Sequence, residues 1–212
     1  MTLRISEIFY SLQGEASRVG LPTVFIRLTG CPLRCTWCDT AYAFTGGSTM
    51  TLAGILDSVR AYPTRQVCVT GGEPLAQKGC LRLLKALCDA DYNVSLETSG
   101  ALDIGSVDPR VSRIVDLKAP GSGEAGRNRW ENVELLRPAD EVKIVVASRD
   151  DYEWGRAVLA ERDLAKRCPV LFSPAQGCVD PAELAGWILE DGLPVRFQLQ
   201  LHKMLWGNMR GK

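Results

Sequence analysis

Along the 212 residues of the chain, short runs rich in Val and Ile alternate with stretches whose apolar residues recur every three or four positions. The runs Val24–Thr29, Val67–Thr70, Val94–Glu97, Ile114–Lys118, Val142–Val146, Val170–Ser173 and Val195–Leu201 predict strands, and an extended segment precedes them near Ile5–Ser11. Helical spacing predicts helices over Leu52–Ala61, Leu75–Ala90, Asp151–Lys166 and Pro181–Glu190; the crossovers near 92–113 and 119–140 are less clearly helical. Repeated strand–helix alternation predicts parallel βαβ units. No Gly/Ser-rich linker, low-complexity tract or repeat divides the chain, so a single domain over residues 1–212 is expected. A closed eight-unit barrel typically takes about 250 residues, with about 200 as a lower limit. The expected architecture is therefore α/β: an open, partial barrel of six βα units.

Polar residues gather at the C-terminal ends of these strands. A cysteine-bearing loop follows Val24–Thr29, Gly71-Gly72-Glu73-Pro74 follows Val67–Thr70, and Thr98-Ser99 follows Val94–Glu97. Lys118, Pro174 and Gln176 follow or close later strands. This is the face on which α/β barrels place their chemistry. Arg27 interrupts the run Val24-Phe25-Ile26-Arg27-Leu28, and alternation puts it on the Phe25/Thr29 face, away from Val24, Ile26 and Leu28. A guanidinium lining a barrel needs an anion, either a substrate carboxylate or an internal partner such as Glu15, Glu73 or Glu97.

Charge narrows the classes of function. Lys plus Arg and Asp plus Glu number 25 each, so the formal net charge is zero and nothing global calls for nucleic acid or an anionic membrane. Lys203, Arg210 and Lys212 read as a solvated terminus. No run reaches the ~18–20 apolar residues of a membrane helix, and Met1–Glu7 lacks the marks of a signal peptide. A cytoplasmic protein is expected, whose eight cysteines are thiols or metal ligands rather than disulfides.

Three of those cysteines share one loop, Cys31-Pro32-Leu33-Arg34-Cys35-Thr36-Trp37-Cys38. Thiolates at this spacing suit an iron–sulfur cluster, and three ligands leave one iron open. The alternatives are a zinc site, for which the only histidine is the distant His202, and three structural cysteines. Cys68, Cys80 and Cys88 fall at core positions of a strand and a helix, while Cys168 and Cys178 have no assignment.

The CxxxCxxC spacing, with Trp37 before its last cysteine, resembles the signature of the radical S-adenosylmethionine (SAM) superfamily. The resemblance implies that Cys31, Cys35 and Cys38 hold a [4Fe–4S] cluster whose fourth iron is chelated by SAM. It also implies that reduction of this pair yields a 5′-deoxyadenosyl radical. Gly71-Gly72-Glu73-Pro74 resembles the motif of the superfamily that meets the SAM amino group. Trp37, Cys38, Asp39, Gly72 and Glu73 would then contact SAM, with Ser99, Lys118, Ser173 and Gln176 as further candidates. Read without the resemblance, Pro74 opens a helix and the latter four cap helices or close strand ends.

At finer grain the chain resembles the 7-carboxy-7-deazaguanine synthase family. The resemblance runs through Leu12-Gln13-Gly14-Glu15, Arg27, Asp39-Thr40, Gly71–Pro74, Glu97–Gly100, Asp116–Lys118, Ser173–Gln176, Gln200–Lys203 and Trp206-Gly207. It implies conversion of 6-carboxy-5,6,7,8-tetrahydropterin to 7-carboxy-7-deazaguanine with loss of ammonia, on the route to queuosine. It also implies hydrogen abstraction at C6 and SAM recycled as a cofactor. Leu12, Gln13, Gly14, Glu15, Arg27, Thr70 and His202 would bind substrate, and Thr40 would ligate Mg²⁺. The plain readings are a polar turn for Leu12–Glu15, a loop residue for Thr40 and a structural histidine for His202. A one-electron donor such as a flavodoxin and a homodimer complete the expectation. A glycyl-radical-activating enzyme and a noncatalytic zinc module are the competing functions.

Overall fold

The computed structural model describes residues 1–212. Its strands are β1 (Thr2–Leu12), β2 (Pro22–Leu28), β3 (Ser48–Thr51), β4 (Gln66–Gly71), β5 (Asn93–Thr98), β6 (Ser112–Leu117), β7 (Glu141–Val146), β8 (Val170–Pro174) and β9 (Arg196–Phe197). The helices are α1 (Leu52–Arg60), α2 (Cys80–Asp89), α3 (Glu131–Glu134), α4 (Arg149–Glu161), α5 (Leu164–Arg167), α6 (Pro181–Glu190) and α7 (Leu201–Trp206). All strands join one sheet in the order β3-β1-β2-β4-β5-β6-β7-β8-β9. Pairing is parallel at every step from β2 to β9. β1 runs antiparallel to both β2 and β3. The sheet ends on β3 and β9 and does not close, so the open partial barrel expected from chain length is the one observed.

Alternation sorts the side chains of each strand. Val24, Ile26, Leu28, Val67, Val69, Val94 and Leu96 face outward into a core shared with Ile55, Val59 and the apolar stripe of α2. Val142, Ile144, Val146, Val170 and Phe172 do the same beneath α4 and α6. The inward face carries a small apolar floor, in which Ala16 from the β1–β2 turn packs on Ile114 and Leu171. One step nearer the C-terminal strand ends, the inward residues are mostly polar. Arg27 lies beside Thr70 and Asp116 beside Lys143, with Ser173 beside the apolar Val145.

Four elements depart from the sequence-based expectation. Only Arg196–Phe197 of the run Val195–Leu201 joins the sheet; the chain then turns across the barrel and starts α7. The cause is local bonding. The Gln198 amide brackets the backbone of Ala16, Ser173 donates to the Gln198 carbonyl, and Leu201 N–H donates to Gly14. The helix expected from Leu75 starts at Cys80, after a 3₁₀ turn at Pro74–Ala76. Gln77 there bonds the backbone of Arg4 and Thr29, tying the turn to the base of the cysteine loop. The Asp151–Lys166 helix starts earlier, where Ser148 caps it, and breaks at Asp163, which has φ 50°. The short polar strand β3 carries no hydrophobic signal and was not expected.

Candidate active site

The cysteine loop leaves β2 through Gly30, whose φ of 100° lies in the left-handed region that favours glycine. Gly30 N–H donates to Ala43, and its carbonyl accepts from Glu73 N–H at 2.7 Å. The loop is anchored by buried Leu33 and by two bonds from Thr36 to the backbone of Ser122 and Gly121. Cys31, Cys35 and Cys38 are half-buried, are free thiols, and line a cavity of about 730 Å³ inside the barrel mouth. No three Cys, His, Asp or Glu side chains are grouped to hold a single metal ion. Three thiols on one loop suit an iron–sulfur cluster with an open iron, whereas a structural zinc takes four ligands. Burial raises the Cys31 and Cys35 thiols above their ordinary pKa, and the Lys118 ammonium opposes it. Thiolate ligation therefore has to displace protons, as metal binding to cysteine does generally.

Every site residue read from the sequence lines this one cavity except Glu73. The Glu73 side chain is fully buried and its carboxylate is turned into the protein. There it accepts from Leu75 N–H, from the Thr98 hydroxyl, and from the N–H and hydroxyl of Ser99. Glu73, expected to contact SAM, has its carboxylate engaged inside the protein, where it caps the 3₁₀ turn and holds the β5 end in place. The glycines of the same motif are needed for closeness. A Cβ on Gly72 would stand 2.3 Å from the Gly30 carbonyl oxygen and 2.9 Å from Cys31 Cβ; one on Gly71 would stand 2.3 Å from the Leu28 carbonyl oxygen. Trp37, Ser99, Lys118, Ser173 and Gln176 share the wall with the cysteines. The Ser173 hydroxyl is engaged with Gln198, and Lys118 pairs with Asp116 at 2.7 Å.

Elsewhere on the wall, Phe9 and Phe25 stack at 4.9 Å and Arg27 lies over Phe9 and Tyr42. Arg27 Nε donates to Glu7 at 2.7 Å, and the Tyr42 hydroxyl donates to the same Glu7 oxygen at 2.7 Å. The internal partner is therefore Glu7, not Glu15, Glu73 or Glu97. Both Arg27 Nη atoms make no hydrogen bond within the chain, leaving the outer edge of the guanidinium for a ligand. Gln13 and Thr70 both donate to Glu97, at 3.1 and 2.9 Å. Glu15 pairs with Lys143 at 2.6 Å and accepts from Gln200. Burial works against the Glu15 charge, but Lys143 and Gln200 outweigh it and hold the carboxyl below its usual range. The Thr40 hydroxyl donates to Asp39, which is paired with Lys203 at 2.8 Å. The basic terminus is therefore not simply solvated. Lys203 is bound at the cavity wall and Arg210 sits 3.7 Å over the Tyr42 ring.

His202 lines the cavity and its pKa is lowered by burial, against the pull of Glu15. It fits only because residue 14 is glycine: a Cβ there would lie 2.1 Å from His202 Nδ1. Gly14→Ala is expected to destabilise the protein by ~1–3 kcal/mol, the range for overpacking. Adding His202→Ala should restore most of that loss in an anaerobic thermal melt; equal melts for Gly14→Ala and wild type would show that the two residues do not compete for space.

The Radical SAM superfamily matches residues 25–119. The 7-carboxy-7-deazaguanine synthase of Chlorobaculum tepidum is 48% identical over 207 residues, covering 96% of this chain and 94% of its own. That of Koribacter versatilis is 43% identical over 96% and 97%. The chain belongs to the 7-carboxy-7-deazaguanine synthase family of radical SAM enzymes. The crystal structure of QueE from Escherichia coli covers 95% of each chain with a TM-score of 0.73 at 24% identity, a likeness of fold.

Family membership explains why the cysteine loop, the glycine pair and the polar inner strand residues converge on one cavity. Sequence reasoning missed Tyr42 and Lys143 as members of that wall and Glu7 as the partner of Arg27, and Glu97, Asp116 and Gln200 were read only as parts of motifs. Lys143 and Asp116 carry a signal like that of Arg27, a charge set between apolar neighbours in a strand.

Proposed function

We propose that the chain converts 6-carboxy-5,6,7,8-tetrahydropterin to 7-carboxy-7-deazaguanine with loss of ammonia, serving queuosine or a related deazapurine. The observation that carries this reading is Arg27. A guanidinium fixed by Glu7 through Nε presents two free Nη donors to a cavity that also holds the cysteine loop. Such a donor pair suits a carboxylate. Cys31, Cys35 and Cys38 would hold a [4Fe–4S] cluster, which with SAM would supply the radical chemistry for removing a hydrogen atom from the substrate. The chain does the rest by positioning. Gly72 lets the β4 turn approach the cluster loop, while Trp37, Asp39, Ser99, Lys118, Ser173 and Gln176 surround SAM. Leu12, Gln13, Gly14, Glu15, Thr70 and His202 receive the pterin. Thr40 with the adjacent Asp39 offers hard oxygen donors of the kind Mg²⁺ takes.

The reading includes a cytoplasmic enzyme of one domain, reduced by a flavodoxin-like donor. It includes a homodimer, since the open sheet edge benefits from a cover. No helix of the protein is long and apolar enough to cross a membrane.

Anaerobic incubation of the reconstituted protein with SAM, reductant, Mg²⁺ and 6-deuterated substrate tests the proposal. The expected result is 7-carboxy-7-deazaguanine, with deuterium exchanged into 5′-deoxyadenosine or SAM. No product from the small molecule in the absence of a partner protein would overturn it.

A further inference from the structure

A line of alternating charge crosses the inner wall of the barrel. Gln200 donates to Glu15 at 2.7 Å; Lys143 bonds Glu15 at 2.6 Å and lies 3.4 Å from Asp116; Asp116 pairs with Lys118 at 2.7 Å. All four charged side chains line the cavity. Lys143 and Glu15 are nearly out of water, at 12 and 13% side-chain exposure. Asp116 keeps a second cation if Lys143 is lost, because Lys118 remains bonded to it. Glu15 keeps none: its other protein donor is the neutral Gln200 amide. Glu15 is therefore the group whose charge and direction depend on Lys143.

We propose that Lys143 is a positioning residue for substrate recognition, acting through Glu15. This rests on the reading that Glu15 accepts hydrogen bonds from the pterin. Lys143 comes from β7 and Glu15 from the β1–β2 turn, so the bond fixes a loop carboxylate to a strand. A carboxylate clamped on one oxygen by an ammonium and on the other by an amide cannot rotate. It remains ionised and aimed as the substrate arrives. A paired carboxylate also keeps its acceptor capacity for neutral N–H donors, such as the amino and ring N–H groups of a pterin. Lys143 touches no reacting atom in this account; its effect appears in binding and not in the chemical step.

The test is a double-mutant cycle on the reconstituted holoenzyme with bound SAM, reading the Kd of 6-carboxypterin, a probe that cannot turn over, by calorimetry. Glu15→Gln alone should weaken the probe about tenfold, and Lys143→Met by a similar factor, as expected when a buried charge pair is broken. In the Glu15→Gln background, Lys143→Met should change Kd by less than about twofold. Turnover in Lys143→Met should show a raised KM with kcat largely kept. Should Lys143→Met fail to fold, Lys143→Arg keeps the charge but moves the Glu15 carboxylate, and should weaken the probe only in the presence of Glu15. An unaltered Kd for the Lys143 variants, or the same loss with and without Glu15, overturns the role of Lys143. An unaltered Kd for Glu15→Gln instead overturns the underlying reading of Glu15.

Discussion

Replacing Gly72 by alanine is expected to remove most of the bound iron and to lower turnover by about a hundredfold, the cost of displacing a reacting group by about 1 Å. The conflict is one of space rather than backbone conformation. The added Cβ would meet the Gly30 carbonyl oxygen at 2.3 Å and Cys31 Cβ at 2.9 Å. Neither is the end of a flexible side chain. Gly30 is held from both sides, by Ala43 and by Glu73 N–H, and Gly72 N–H is itself bonded to the Leu28 carbonyl. Relief therefore moves Cys31, the first ligand of the cluster loop, or opens the contact between β4 and β2. Iron content of the anaerobically reconstituted protein is the direct readout, with turnover as the second. Gly186→Ala in α6 is the control, since a Cβ there meets nothing within 4 Å and alanine favours a helix. Iron and turnover within twofold of wild type in Gly72→Ala would show that the loop adapts and that the glycine is not required.

The outward half of each strand was legible because burial writes it plainly. Val24, Ile26 and Leu28, or Val142, Ile144 and Val146, alternate with residues of the other face, among them the charged Arg27 and Lys143. The same alternation marked Arg27, and it marks Lys143 between Val142 and Ile144 just as clearly. What it could not give was the partner of either charge. Arg27 meets Glu7 because a bulge interrupts β1 between Ile5 and Glu7. Strict alternation would put Leu3, Ile5, Glu7 and Phe9 on one face. The extra residue turns Leu3 and Ile5 into the outer core, while Glu7 pairs with Arg27 and Phe9 with Phe25 on the inner side. A bulge leaves little trace in the pattern of apolar residues.

Glu73 shows the opposite limit. Its motif was read as a contact for the SAM amino group, but side-chain direction depends on where Thr98 and Ser99 stand, and the end of β5 brings Thr98 from 25 residues away. The run Val195–Leu201 misled for a related reason. Its β-branched and aromatic residues suit a strand, yet the side chain of Gln198 finds its partners in the β1–β2 turn and pulls the chain off the sheet edge. Residues whose position is set by burial could be read from the chain; those set by a distant hydrogen-bond partner could not.

Substitution of Arg27 should have the largest effect on substrate binding. Arg27→Gln is expected to cost about 2 kcal/mol or more in the binding of a carboxylated pterin, roughly thirtyfold in affinity, as for removal of one member of a buried charge pair. Arg27→Lys should recover little of it. The native guanidinium divides its donors, giving Nε to Glu7 and keeping both Nη atoms for the cavity, a division that a single ammonium cannot reproduce. A lysine here would satisfy Glu7 and leave the carboxylate unmet. The discriminating measurement compares 6-carboxypterin with pterin lacking the carboxylate. Wild type should favour the carboxylated compound by more than tenfold, and both variants should bind the two nearly alike. If Arg27→Gln weakened both compounds equally, its role would lie in holding the Phe9 and Tyr42 rings rather than in reading the carboxylate. If discrimination survived intact, the carboxylate would have to be held by another group on the cavity wall, and Arg210, which also lies over the Tyr42 ring, would be the next residue to replace.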